Sequence, residues 1–143
     1  EAKVENAIKQ GAKVLCGGKR VGEKGYFYAA TLLDNCRQDM DIVHEETFGP
    51  VLPIVEWEDF DEVLAWANDC EYGLASSVFT NDINTATRCV RELDFGETYI
   101  NRFHFEAIQG FHAGVKKSGI GGADGKHGVE EYLRTHVTYL QTK

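Results

Sequence analysis

The sequence predicts an α/β fold in which strands alternate with helices in a largely parallel sheet. Apolar, β-rich runs such as Val51-Leu52-Pro53-Ile54-Val55 are followed by segments with helical spacing such as Asp59-Phe60-Asp61-Glu62-Val63-Leu64-Ala65-Trp66-Ala67. The same alternation returns between residues 75 and 101, and repeated strand-helix-strand order implies crossover connections.

The elements follow in order. Val4, Ala7 and Ile8 share a face of a helix over residues 4–10, which Gly11 closes as a C-terminal cap. Residues 13–16 form a short strand ended by Gly17-Gly18, and residues 26–33 alternate aromatic and aliphatic side chains as a second extended segment. A polar stretch over residues 34–41 leads to a turn at Gly49-Pro50 and a strand that ends near Trp57. Acidic residues in the first turn mark the helix that begins near Asp59. A strand over residues 75–80 is entered through Tyr72-Gly73-Leu74, and a helix over residues 83–93 takes Asp82 or Asn81 as its N-cap. Thr98, Tyr99 and Ile100 carry the β preference of a strand over residues 95–101. Residues 102–125 read as a long, glycine-rich loop, a feature that is usually functional in a small domain. A last helix over residues 126–134 precedes a β-rich tail, His136-Val137-Thr138-Tyr139-Leu140, which pattern alone allows either as an edge strand or as an interface.

Composition narrows the function. With 143 residues and 43% hydrophobic content, the chain is sufficient for one globular core. A net charge of −8, with only the basic doublets Lys19-Arg20 and Lys116-Lys117, argues against a nucleic-acid partner. No segment has the unbroken apolar length of a membrane span, and the polar start lacks a signal-peptide layout. Cys16, Cys36, Cys70 and Cys89 form no CxxC pair, so reduced thiols in a cytoplasmic setting are expected. The five histidines have no metal-ligand spacing, and no metal site is expected. The loop Gly119-Ile120-Gly121-Gly122-Ala123-Asp124-Gly125-Lys126 fits neither a GxGxxG nor a Walker spacing. Its glycines read as permitting positive φ and close backbone approach.

The run Glu45-Glu46-Thr47-Phe48-Gly49-Pro50-Val51 places a carboxylate and an aromatic face two residues apart, the elements of a nucleotide clamp. It resembles the EExFGPV signature of the NAD(P)-dependent aldehyde dehydrogenase superfamily. The resemblance implies that Glu46 holds the nicotinamide ribose, that Phe48 packs near the nicotinamide, and that the cofactor is NAD or NADP, with NAD favoured. Taken alone, Glu106 and His112 read as solvated loop residues. Aligned on Asn101 and Lys116-Lys117-Ser118-Gly119, however, their loop is similar to the family segment that lines the aldehyde entrance. The pattern FEAxQGFHAG followed by KSGIGGADGKHG resembles the family's branch that acts on lactaldehyde or glycolaldehyde. There the corresponding Glu and His contact the substrate, which makes Glu106 and His112 substrate-binding candidates for a small hydroxyaldehyde.

None of the four cysteines lies in the family's GQxC nucleophile context, and the general-base glutamate has no counterpart. The resemblance therefore implies the C-terminal part of a catalytic domain over residues 1–135 and an oligomerisation strand over residues 136–143, inactive alone and part of a homo-oligomer. A non-catalytic self-associating module and a related semialdehyde dehydrogenase are the alternatives.

Overall fold

Helix α1 (Ala2–Lys9) packs Val4 and Ala7, 1% and 2% exposed, against the strand that organises the first half of the chain. It ends in a Schellman motif: Ala12 N–H donates to the Ala7 carbonyl at 2.9 Å, Gly11 N–H to the Ile8 carbonyl at 3.0 Å, and Gly11 takes φ +106°. Arg37 and Asn35 donate to the carbonyls of Gln10 and Gly11, so the capped end is tied to the sheet beside it.

The computed structural model describes residues 1–143, which divide into two compact units, Glu1–Asp69 and Cys70–Lys143. In the first unit, β1 (Lys13–Cys16) lies antiparallel to β2 (Thr31–Cys36), and β2 lies parallel to β3 (Val51–Val55). The short helix α2 (Asp41–His44) lies in the crossover to β3. The core gathers Leu33, Met40, Ile42 and Cys36 beneath α1, with Leu33 and Met40 fully buried. Helix α3 (Phe60–Asn68) follows, its N-cap Asp59 accepting from the backbone N–H groups of Asp61 and Glu62.

In the second unit, β5 (Ala75–Val78) and β6 (Glu97–Ile100) pair in parallel, joined by the crossover helix α4 (Ile83–Glu92). Asp82 caps α4 through the backbone N–H groups of Asn84 and Thr85. Two-residue antiparallel ladders complete the unit. They join β4 (Tyr72–Gly73) to β8 (Val115–Lys116), and β7 (His112–Ala113) to β9 (Gly122–Ala123). Helix α5 (Gly125–Glu130) closes the regular structure. No helix is long and apolar enough to cross a membrane.

The expected crossover through α4 gives the parallel β5–β6 pair, whereas β3 and β5 on either side of α3 belong to different sheets and the other parallel pair, β2–β3, is joined through α2. The α/β reading holds, with three antiparallel pairings added to it. Three segments differ from expectation. The extended segment at residues 26–33 starts later, at Thr31, because Arg20 and Tyr28 form only an isolated bridge and Tyr26 is fully exposed. The strand instead continues through the polar Asp34-Asn35-Cys36, because β2 has a ladder partner on each side and pairing outweighs composition. Residues 102–125 are not structureless, since they contain β7, β8 and β9. Residues 133–143 carry no helix or strand and are exposed, so the tail pairs with nothing inside this chain.

Replacing Leu33 by Ala is expected to destabilise the first unit by about 2–5 kcal/mol, the range for a buried leucine that leaves a cavity. Equilibrium urea unfolding followed by the fluorescence of Trp57 and Trp66 measures it. A loss no greater than that of an exposed Leu15→Ala control would show that the core lies elsewhere.

Candidate functional site

The residues singled out in the sequence fall in both units. Glu46 and Phe48 lie in the first, on the loop between α2 and β3. That loop is held from α1: Lys3 Nζ donates to the Glu46 carbonyl at 2.8 Å and pairs with the Glu45 carboxylate at 3.1 Å, while Asn6 bonds Asp41. Phe48 adopts φ +49°, a left-handed conformation uncommon for a bulky residue, and is 90% exposed. Strain of this kind persists only where the surrounding structure imposes it, and it gathers at ligand sites. Phe48, Thr47 and Gly49 line a cleft of about 250 Å³ together with Tyr26, Phe27 and Arg20. The side chain of Glu46 is exposed.

Glu106 and His112 lie in the second unit, and the fold brings them together. His112 begins β7, and its Nδ1 stands 3.6 Å from Glu106 Oε1. A third residue is closer: Glu97, the first residue of β6, has Oε1 at 2.9 Å from the same Nδ1. Its other oxygen accepts from the Tyr99 hydroxyl at 2.6 Å. Tyr99 stacks on His104 at 5.2 Å and lies beneath the Arg102 guanidinium. Sequence reasoning missed Glu97, which was subsumed in a β-rich run. The available signal was a carboxylate at the start of a β-prone strand, two residues before a tyrosine and therefore on the same face.

Glycines make this juxtaposition possible. A methyl group added at Gly96 would stand 1.6 Å from the Ala113 carbonyl oxygen, and one at Gly122 would stand 2.3 Å from the His112 carbonyl oxygen. Backbone packs directly on backbone at both places, which brings β7 against the start of β6 and against β9. The glycine-rich loop thus works mainly by close approach. Of the four glycines between Gly119 and Lys126 only Gly125 has a positive φ, at +57°.

The electrostatics follow from these contacts. The hydrogen bond to Glu97 raises the His112 pKa above its ordinary 6.5 against the opposing effect of burial, with help from the nearby charges of Glu97, Glu106 and Asp124. Burial pushes the Glu97 carboxyl up, but the hydrogen bonds from Tyr99 and His112 outweigh it and hold the pKa below the ordinary value. The Tyr99 phenol is pushed up to about 12, first by its hydrogen bond to Glu97. The site is a chain of donors and acceptors, Tyr99 to Glu97 to His112, with Glu106 at its open end. No group of three or more His, Cys, Asp or Glu side chains is arranged to hold a metal ion.

This architecture belongs to a known class. The sequence profile described as the aldehyde dehydrogenase family matches residues 1–138, and the chain belongs to that family. Lactaldehyde dehydrogenase of Escherichia coli (strain K12) is 58% identical over 142 residues, which is 99% of this chain and 30% of that protein. Its crystal structure superposes with a TM-score of 0.93 over 99% of this chain and 30% of that one. The 3,6-anhydro-alpha-L-galactose dehydrogenase of Vibrio sp. (strain EJY3) is 49% identical over 98% of this chain and 30% of its own length. A betaine aldehyde dehydrogenase from Staphylococcus aureus, solved in complex with NAD+, is 40% identical with a TM-score of 0.83, over 93% of this chain and 28% of that one. The chain thus spans about 30% of the length of the curated relatives it matches.

Gly96→Ala is expected to force β6 and β7 apart and break the His112–Glu97 bond. The check is a crystal structure or the amide exchange of residues 97–100 and 112–113, with unchanged protection in these strands as the contrary result. The ion pair also has a pH window. A raised His112 pKa contributes stability that is fully present below 6.5 and is lost as pH rises through the folded value. A lowered Glu97 pKa contributes stability present above 4.5 and lost as pH falls through its folded value. The melting-temperature gap between the parent and His112→Phe should therefore be widest from pH 4.5 to 6.5 and narrow in alkali. A gap independent of pH would show that the pair contributes no charge interaction.

Proposed function

We propose that this chain is the C-terminal part of the catalytic domain of an aldehyde dehydrogenase that oxidises a small hydroxyaldehyde, such as lactaldehyde or glycolaldehyde, to its acid with NAD or NADP. The polar cluster of Glu106, His112 and Glu97 carries this reading. A protonated imidazole donates and a carboxylate accepts, and a substrate hydroxyl satisfies both at once, whereas a hydrocarbon group satisfies neither. The similarity to lactaldehyde dehydrogenase supports the same substrate class.

The dinucleotide would supply the hydride acceptor. Phe48 fits the nicotinamide end of such a group because its face is exposed on a loop fixed in a strained conformation. Glu46, exposed on the same loop, would accept from ribose hydroxyls. NAD is favoured over NADP. The nucleophilic thiol and the general base that complete the reaction are assigned to the parent enzyme outside these residues. In agreement, Cys36 and Cys89 are buried with pKa values raised by burial, the opposite of an activated thiolate. The isolated chain is accordingly inactive. Residues 1–135 form the catalytic part, and the tail over residues 136–143, which finds no ladder partner in its own chain, serves as an oligomerisation strand in a cytoplasmic homo-oligomer.

The test is the double variant Glu106→Phe/His112→Phe in the full-length enzyme. Each hydrogen bond to the substrate hydroxyl that is lost costs about 1–3 kcal/mol, so kcat/KM for glycolaldehyde should fall roughly ten-fold or more while that for propionaldehyde is kept or improved. An equal loss on both aldehydes would remove the hydroxyaldehyde assignment.

A further inference from the structure

Resting on the substrate reading above, we propose that Glu97 is a positioning residue for the aldehyde mouth. Its carboxylate accepts the Nδ1–H of His112, so that Nε2–H is presented to the substrate hydroxyl and Glu106 is left to accept that hydroxyl's proton.

The geometry distinguishes the two carboxylates. Glu97 Oε1 lies at hydrogen-bond distance from Nδ1, 2.9 Å, whereas Glu106 Oε1 is at 3.6 Å, beyond a good hydrogen bond. Glu97 is the sheltered partner, its side chain 15% exposed against 48% for Glu106. Both oxygens of Glu97 are engaged, one by His112 and the other by Tyr99. Two anchors fix the plane of a carboxylate that one anchor would leave free to rotate. Glu97 also stands on a strand paired along its whole length with β5, while Glu106 stands on a loop. The rigid carboxylate therefore sets the ring, and the exposed one remains available to a ligand.

The consequence is a change of hydrogen-bond polarity. While His112 is protonated, Nε2 donates, and a hydroxyl can accept from it and donate to Glu106. When the ring loses a proton, Glu97 keeps the remaining one on Nδ1, and Nε2 becomes an acceptor. The hydroxyl then faces two acceptors with a single proton. Preference for a hydroxyaldehyde should thus hold on the acid side of the His112 titration and fade above it. The groups that set this titration are Glu97 and Tyr99 from β6, Glu106 from the loop, Asp124 from the segment before α5, and His104, which acts on Glu97. Replacing Glu97 by Gln removes the nearest negative charge and moves the loss of preference to lower pH.

In the full-length enzyme, kcat/KM for glycolaldehyde and for propionaldehyde would be measured from about pH 6 to about pH 9, a span that brackets ordinary imidazole titration. The proteins are the parent, Glu97→Gln, Glu97→Asp and His112→Phe. For Glu97→Gln, the glycolaldehyde-to-propionaldehyde ratio near neutrality should drop roughly ten-fold, and its midpoint should fall to lower pH. Glu97→Asp keeps the charge but falls one methylene short, so its midpoint should move in the same direction by less. It decides the matter if Glu97→Gln does not fold. An unchanged ratio and midpoint in the Glu97 variants, with the ratio lost in His112→Phe, overturns the positioning role and leaves the substrate reading intact. A ratio unchanged in His112→Phe overturns both. Equal losses on the two aldehydes, without movement of the midpoint, reduce Glu97 to a structural residue and also overturn the proposal.

Discussion

The second unit depends on one constraint, the direct packing of the β7 backbone on Gly96 and Gly122. Its strands are short, two of its ladders have only two residues per strand, and Ala86 and Cys89 are its only buried hydrophobic residues. Apolar burial alone would not position a loop of this length to within a hydrogen bond. Backbone contact does, because a main chain has no rotamers through which to relax. Everything polar in the candidate site inherits its register from that approach. Glu97 follows Gly96, His112 precedes Ala113, and Asp124 follows the β9 strand that Gly122 begins.

The polar chain built on this frame divides labour between rigid and mobile groups. Tyr99 and Glu97 stand on a fully paired strand, His112 on a short ladder, and Glu106 on the loop. Charge follows the same gradient, from a phenol held neutral, through an ion pair, to an exposed carboxylate. The adaptable end is the exposed one, while the geometry is fixed at the sheltered end. The first unit has a related layout, with Lys3 and Asn6 on α1 fixing the loop that displays Phe48.

How much of this was legible in the sequence depended on whether the cause was local. The strand at residues 13–16, the acidic first turn of the helix near Asp59 and a cap at Asp82 or Asn81 could be read directly, because capping and local patterning act within a few residues. The run Asp34-Asn35-Cys36 could not be read as strand, since its pairing with β1 and β3 decides its state and lies outside its own composition. For the same reason the β7, β8 and β9 ladders were hidden inside a glycine-rich loop. Glu106 and His112 were singled out through resemblance, while Glu97 was passed over because its partner is 15 residues away and no short motif joins them.

The left-handed backbone at Phe48 bears on how this protein can change. An aromatic residue there carries a conformational penalty that glycine would not incur, so folding stability and the aromatic face pull in opposite directions at one position. Directed evolution screened for thermal tolerance alone would drift toward glycine at residue 48 and would erode the exposed aromatic surface without disturbing the core. Retention of phenylalanine under such a screen would show that the left-handed backbone costs too little at this position to be selected against.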